Sequence, residues 1–158
     1  MGISMTITTK SPKETHNIGK LIGEKVKPKD FVALIGDLGS GKTTFVQGIA
    51  EGLGIKIPVN SPSFVIAKEY QGKYPLVHVD IYRLKNPIDE LFNIGFEEYL
   101  RREYIIVVEW ADKIKDLFPE DHLQITFSYN GENERILSFI PNGDRFIKLV
   151  EEVKQCIY

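Results

Sequence analysis

Phe31-Val32-Ala33-Leu34-Ile35-Gly36-Asp37-Leu38-Gly39-Ser40-Gly41-Lys42-Thr43-Thr44-Phe45-Val46 organises the rest of the chain. Its first five residues are an unbroken apolar run, the look of a strand buried on both faces. Gly36 to Thr43 then fits G-x-x-x-x-G-K-[ST]. Phe45, Val46, Ile49, Ala50 and Leu53 follow at helical spacing, with Gly54 as a C-terminal stop. Strand, glycine turn and helix in that order is the setting in which this motif grips phosphate. The glycines let successive amide N–H groups point inward as an anion nest. The helix that opens near Lys42 adds its positive end. Lys42 is then placed to reach the β- and γ-phosphates of a nucleotide, and the Thr43 hydroxyl to ligate Mg²⁺. Gly36, Asp37, Leu38, Gly39, Ser40, Gly41 and Thr44 complete the nucleotide-binding stretch.

Working outward, Ser4–Thr8 reads as a strand, and Ser11-Pro12-Lys13-Glu14 as a helix start. It combines a capping serine, proline at the first helical position and glutamate three after the cap. Phe64–Tyr70 and Leu76–Tyr82 read as strands around a turn at Gly72. Asn86–Leu100 holds one or two helices, with Gly95 as a break, and Tyr104–Glu109 is a second buried strand. Leu123–Tyr129 and Arg135–Ile140 alternate around Asn130-Gly131, a hairpin signal. Asp144–Gln155 closes the chain as an amphipathic helix. Helices interleaved with buried strands imply an α/β domain. The expected architecture is a three-layer fold of the phosphate-loop NTPase kind, with a mostly parallel central sheet and antiparallel hairpin additions.

A phosphate loop needs an acid at the tip of a neighbouring strand, and two strands end in one. Leu76-Val77-His78-Val79 runs into Asp80, and Tyr104 to Val108 into Glu109. Ligands of open α/β sheets bind at the carboxyl ends of the strands, so both acids can face one crevice. Asp80, the shorter and earlier, is assigned the Mg²⁺ through water. Glu109 is then left to orient or deprotonate an attacking water. The reverse, with Glu109 on the metal, stays open, as does, for either acid, a capping role or a pairing with Arg83. His78 lies two before Asp80 and points to the same face; it either touches the site or is a hydrogen-bonded structural histidine. Trp110, the single tryptophan, lies over a nucleotide, over a partner surface or in simple packing. Ser61-Pro62-Ser63-Phe64 offers hydroxyls that can sense a γ-phosphate, as switch segments do, or merely turns into the next strand.

Composition narrows the options. A chain of 158 residues with 42% hydrophobic side chains is expected to form one domain, residues 1–158, without structural metal or disulfide. No run of 18 apolar residues exists to span a membrane. The net charge of −2 and the lack of a long basic tract argue against tight, unaided nucleic-acid binding. A single cysteine, Cys156, excludes an internal disulfide scaffold and fits a reducing cytoplasm. Neither N-K-x-D nor D-x-x-G occurs, which favours adenine over guanine by elimination. Arginines are few, with no cluster for a phosphate acceptor, so hydrolysis is favoured over transfer to a metabolite. A small-molecule kinase and a nucleotide-gated binding module remain the alternatives.

Taken in series, Gly36 to Phe45, Ser61-Pro62-Ser63-Phe64, His78-Val79-Asp80-Ile81-Tyr82-Arg83 and Val108-Glu109-Trp110-Ala111-Asp112 resemble the TsaE (YjeE-type) ATPases in order and spacing. Gly95 to Leu100 resembles their linking segment. The resemblance implies a cytoplasmic, ATP- and Mg²⁺-dependent hydrolase needed for N6-threonylcarbamoyladenosine at position 37 of tRNA. It also implies that the protein acts through a complex of TsaB with TsaD and meets tRNA mainly through that complex. By motif, Lys42 and Thr43 serve phosphate and Mg²⁺, Asp80 the metal, and Glu109 the hydrolytic step. Ser63 stands where that family usually has threonine, keeping the hydroxyl and losing the methyl.

Overall fold

The computed structural model describes residues 4–37, 39–60 and 66–157. One seven-stranded sheet carries the chain, in the order β1-β7-β6-β2-β5-β4-β3. Its strands are β1 (Met5–Thr9), β2 (Phe31–Ile35), β3 (Ala67–Gln71), β4 (Pro75–Asp80), β5 (Ile105–Glu109), β6 (His122–Asn130) and β7 (Glu134–Asn142). The centre β6-β2-β5-β4 is parallel, and β3, β7 and β1 add to it antiparallel. That is the mixed α/β sheet with a mostly parallel core that the buried strands and hairpin signals imply.

Helices cover both faces. Helix α1 (Pro12–Lys25), α2 (Lys42–Gly52) and α5 (Asp144–Ile157) lie on one face, around Ile22, Phe45, Ile49 and Phe146. Helices α3 (Pro87–Asn93) and α4 (Phe96–Arg101) and a 3₁₀ segment, Ala111–Leu117, lie on the other, around Leu91, Phe96 and Ile114. No helix among the described residues is long and apolar enough to cross a membrane.

The start of α1 follows its sequence signals. Ser11 Oγ accepts the Glu14 N–H at 3.1 Å, while Glu14 reaches back to the Lys10 N–H at 2.9 Å. The reciprocal bond thus goes one residue further back than in a standard capping box. Helices α1 and α2 touch backbone to backbone. Gly19 and Gly23 face the carbonyls of Phe45 and Ile49, and Gly48 and Gly52 face those of His16 and Lys20. A Cβ at any of the four would collide with the opposing oxygen. This contact fixes α2, whose first residue is Lys42, against the body of the protein.

Two expectations are corrected, and one element was not anticipated. Strand β4 stops at Asp80, because the Asp80 carboxylate takes the Tyr82 N–H at 3.0 Å and turns the chain out of the sheet. The β6–β7 connection is the three residues 131–133, with Asn130 still paired to Glu134; Gly131, at φ 83°, supplies the left-handed step. The residues after Glu109 form the 3₁₀ segment, which no apolar periodicity announces. The 86–100 region is two helices broken at Gly95, whose φ is 82°. Phe64 and Val65, at the expected start of β3, lie outside the described residues.

Candidate functional site

The phosphate-loop sequence connects β2 to α2 at the carboxyl edge of the sheet. Gly39 and Gly41 take φ of 74° and 103°, conformations that L side chains adopt rarely. The loop closes on the lysine that follows. The Lys42 ammonium donates to the carbonyl oxygens of Gly36 and Asp37, the latter at 2.9 Å, and to Ser40 Oγ at 3.4 Å. Lys42 is almost wholly buried, and that burial pushes its pKa below the usual lysine value. Glu109, Asp80, Asp37 and Asp112, in that order of strength, pull it back up. A desolvated cation whose described hydrogen bonds go to neutral carbonyls and a hydroxyl, at the N-terminus of a helix, is a strong attractor for an anion.

Trp110 covers this cation. Its ring centre lies 4.1 Å from Lys42 Nζ, and the Tyr82 ring lies 4.6 Å away. Trp110 sits at φ 63°, a left-handed backbone that costs a bulky residue about 1–2 kcal/mol. Lys113 Nζ donates to the Tyr82 carbonyl at 2.8 Å, which ties the 3₁₀ segment to the turn after β4.

The two acids are register partners: β4 and β5 run parallel with Asp80 beside Glu109. Glu109 is 3% exposed and closely held. Its Oε1 and Oε2 lie 3.1 and 3.2 Å from Thr43 Oγ1, which donates, and Oε2 is 2.6 Å from His78 Nε2. His78 is fully buried, and its Nδ1 has no partner among the described residues. Among the described residues, the hydrogen bond of this imidazole therefore goes to the carboxylate. One hydroxyl and two carboxylates gathered beside a buried ammonium are the oxygen donors a hard divalent cation takes, so these residues fit Mg²⁺.

The structure therefore brings together Lys42, Thr43, Asp80, Glu109, His78 and Trp110, which lie on three separate stretches of sequence. Thr44 follows, half-buried, in the first turn of α2. Arg83 is exposed in the turn beyond β4. Leu38, Ser61 and Ser63 lie outside the described residues. Sequence reasoning missed Tyr82, Lys113 and two residues of the β6–β7 hairpin. Arg135 donates to the Gly39 carbonyl at 3.3 Å and stacks on Tyr129 at 4.6 Å. Tyr82 carried a signal, an aromatic two residues past an acid at a strand end; the others carried none, since their partners are distant in the chain.

Known proteins resemble this chain over most of its length. The family model "Threonylcarbamoyl adenosine biosynthesis protein TsaE" matches residues 9–137. The chain is 45% identical over 148 residues to the tRNA threonylcarbamoyladenosine biosynthesis protein TsaE of Bacillus subtilis, covering 93% of this chain and 92% of that one. It is 32% identical over 131 residues to the protein of the same name from Treponema pallidum, covering 83% and 96%. Its fold is similar to the crystal structure of Bacillus subtilis YdiB, with a TM-score of 0.86, 39% identity and coverage of 100% and 99%. With the matched segment running from the end of β1 into β7 and so enclosing every residue of the site, the chain belongs to the TsaE family of threonylcarbamoyladenosine biosynthesis proteins.

Proposed function

We propose that the chain works as a single ATP-hydrolysing domain that supports formation of N6-threonylcarbamoyladenosine at tRNA position 37, acting through a TsaB–TsaD complex. The observation that carries the chemistry is the Thr43–Glu109 contact beside the buried Lys42 ammonium. It puts a hydroxyl, a carboxylate and a cation where the end of a triphosphate would lie in such a loop.

In this reading the loop amides of residues 36–43 and Lys42 bind the β- and γ-phosphates. The phosphate oxygens take over the hydrogen bonds that Lys42 now gives to its own loop. Thr43 and Asp80 would hold Mg²⁺, with Glu109 adjoining. Bound Mg²⁺ supplies charge neutralisation at the phosphate oxygens. Glu109, turned by His78, accepts a hydrogen bond from a water and orients it toward the γ-phosphorus. The water oxygen bonds to phosphorus, the bridging P–O bond breaks, and ADP, inorganic phosphate and a proton leave. Trp110 and Tyr82 shield Lys42 from bulk water and so strengthen its pull on phosphate. Ser61 and Ser63 would supply the sensing hydroxyls, and Arg83 and Trp110 would stand at the rim where a partner meets the site. The charge of −2 suits a protein that reaches tRNA through others.

The test is phosphate release from ATP with Mg²⁺, measured with and without TsaB–TsaD. Stimulation by the complex, and its loss in Glu109→Gln, are expected. Phosphate appearing on an added metabolite instead of in solution would show a kinase, and no release even with the complex a binding module.

A further inference from the structure

Lys29 and Asp30 precede β2, Tyr104 precedes β5 and Asp121 precedes β6, so all four stand at the amino edge of the sheet, opposite the phosphate loop. They line a cavity of about 350 Å³, to which α4 and α5 add Leu100 and Arg145. Sites for small molecules have volumes of about 300–1,000 Å³ and combine an apolar body with a few polar groups. The apolar body here is Phe31, Ile106 and Phe146, each at most 3% exposed. The polar groups are unequally committed. Asp30 is 7% exposed and accepts from the Arg145 guanidinium at 2.7 Å and from the Lys27 N–H at 2.8 Å. Asp121 lies against Gly143, where an added Cβ would strike its carboxylate, and the positive end of α5 offsets its charge. Both acids are thus matched, whereas both cations keep donors in hand. Arg145 makes its two hydrogen bonds among the described residues, to Asp30 and to the Lys25 carbonyl, through Nη2, leaving Nη1 and Nε. The Lys29 ammonium has no partner among the described residues. Lys29 also sits at φ 77°, a left-handed backbone that glycine adopts freely and lysine rarely. Its N–H is pinned to the Tyr104 carbonyl at 2.8 Å. The chain therefore holds a strained, exposed lysine on the rim of a cavity, at a position where glycine would be unstrained.

We propose that this cavity binds a small aromatic carboxylate, with its rings against Phe31, Ile106 and Phe146 and its carboxylate at Lys29 and the unbonded nitrogens of Arg145. The apolar floor takes the rings, and the two cations with donors to spare take the anion. A cationic ligand finds no open acid, because Asp30 and Asp121 are already matched. A planar ring suits the wall formed by Tyr99 and Tyr104. Their rings meet edge to face with centres 5.2 Å apart, and both hydroxyls are taken by Glu69, so ring surface is what they offer a ligand. Thr43 and Glu109 lie at the far ends of the strands, so this site stands independently of the nucleotide-binding reading.

The test is amide-resolved NMR on the isotope-labelled full chain, titrated with naphthoate and, separately, with naphthamide, its neutral counterpart of similar shape. Naphthoate should give saturable shifts confined to Lys29, Tyr99, Leu100, Tyr104, Arg145 and their chain neighbours, and naphthamide should bind about tenfold more weakly. Lys29→Gly suits the left-handed backbone, so it should melt no lower than the wild type. It should weaken naphthoate about tenfold and leave naphthamide within about twofold. Leu100 is half-buried, and Leu100→Trp puts a ring of its own into the cavity; it should abolish binding of both compounds, with melting curves checking that it folds. Equal affinity for naphthoate and naphthamide overturns the anion assignment, as does unchanged naphthoate affinity in Lys29→Gly. No saturable shift, shifts centred on other residues, or undiminished binding to folded Leu100→Trp overturns the site itself.

Discussion

Glu109 Oε2 lies 2.6 Å from Nε2 of His78, and both side chains are closed off from solvent. The contact spans 31 residues of sequence and exists because β4 and β5 are parallel neighbours, with His78 one pleat behind Asp80. It makes the carboxylate a fixed element, with the Thr43 hydroxyl on one side and the imidazole on the other.

Removing one partner of this pair leaves the other buried and unmatched. His78→Ala should lower the free energy of unfolding by about 3 kcal/mol. In a Glu109→Gln background the same change should cost clearly less, because the two residues act as one unit. Urea unfolding of the four proteins of the cycle gives the coupling; equal costs in both backgrounds would mean no coupling. Glu109→Gln alone should abolish ATP turnover while sparing ATP binding.

Trp110 provides an internal probe, because it is the only tryptophan in the chain. Its ring lies 4.1 Å from a buried ammonium. Lys42→Gln removes that charge and should shift or change the intensity of tryptophan emission. ATP should change emission in the wild type as Lys42 turns to phosphate, and should do little in Lys42→Gln. Identical emission spectra for the wild type and Lys42→Gln would contradict the cation–π contact.

The α1–α2 contact tolerates no added atom. Gly48→Ala places a methyl against the His16 carbonyl, and the backbones must separate. A loss of about 3 kcal/mol is expected. Gly54→Ala is the control: it has φ 74° and nothing within 4 Å, so only the local backbone is strained, at about 1 kcal/mol. Denaturation midpoints of the two variants should rank in that order.

Glu69 accepts both the Tyr99 hydroxyl at 2.9 Å and the Tyr104 hydroxyl at 3.0 Å. Burial, then the bond to Glu69, pushes Tyr99 up to about 12. For Tyr104 the bond to Glu69 is the leading cause of a rise. In the unfolded chain both ionise near the ordinary value of 10. Their raised values therefore stabilise the fold fully below pH 10, and that contribution is lost as pH climbs toward 12. Ultraviolet titration should show two late tyrosines. Glu69→Gln should bring Tyr104 back toward its ordinary value and Tyr99 only part of the way. An unchanged titration curve would contradict the shared carboxylate.

What the sequence disclosed is what local pattern encodes. Phe31–Ile35 reads as a buried strand from its own five residues, and the Ser11 cap from its own four. Asp80 and Glu109 stand out because each ends an apolar run. Pairings between distant segments leave no such trace. Nothing near Gly39 announces Arg135, which lies 96 residues away. The glycines of α1 and α2 gain meaning only when the helices meet. The turn at Tyr82 depended on a carboxylate taking a backbone N–H, which outweighed the strand-like alternation of Leu76–Tyr82. Trp110 in a left-handed conformation was equally hidden, because a tryptophan does not signal that geometry.

Residues 36–43 and the buried Lys42 are proposed to grip a nucleoside triphosphate. The most direct measurement is calorimetric titration of the full chain with ATP and Mg²⁺, beside Lys42→Ala. Saturable heat at one site per chain is expected in the wild type, with affinity at least about tenfold weaker in the variant. No heat of binding in the wild type, even with TsaB–TsaD present, or equal affinity in the two proteins, would contradict it.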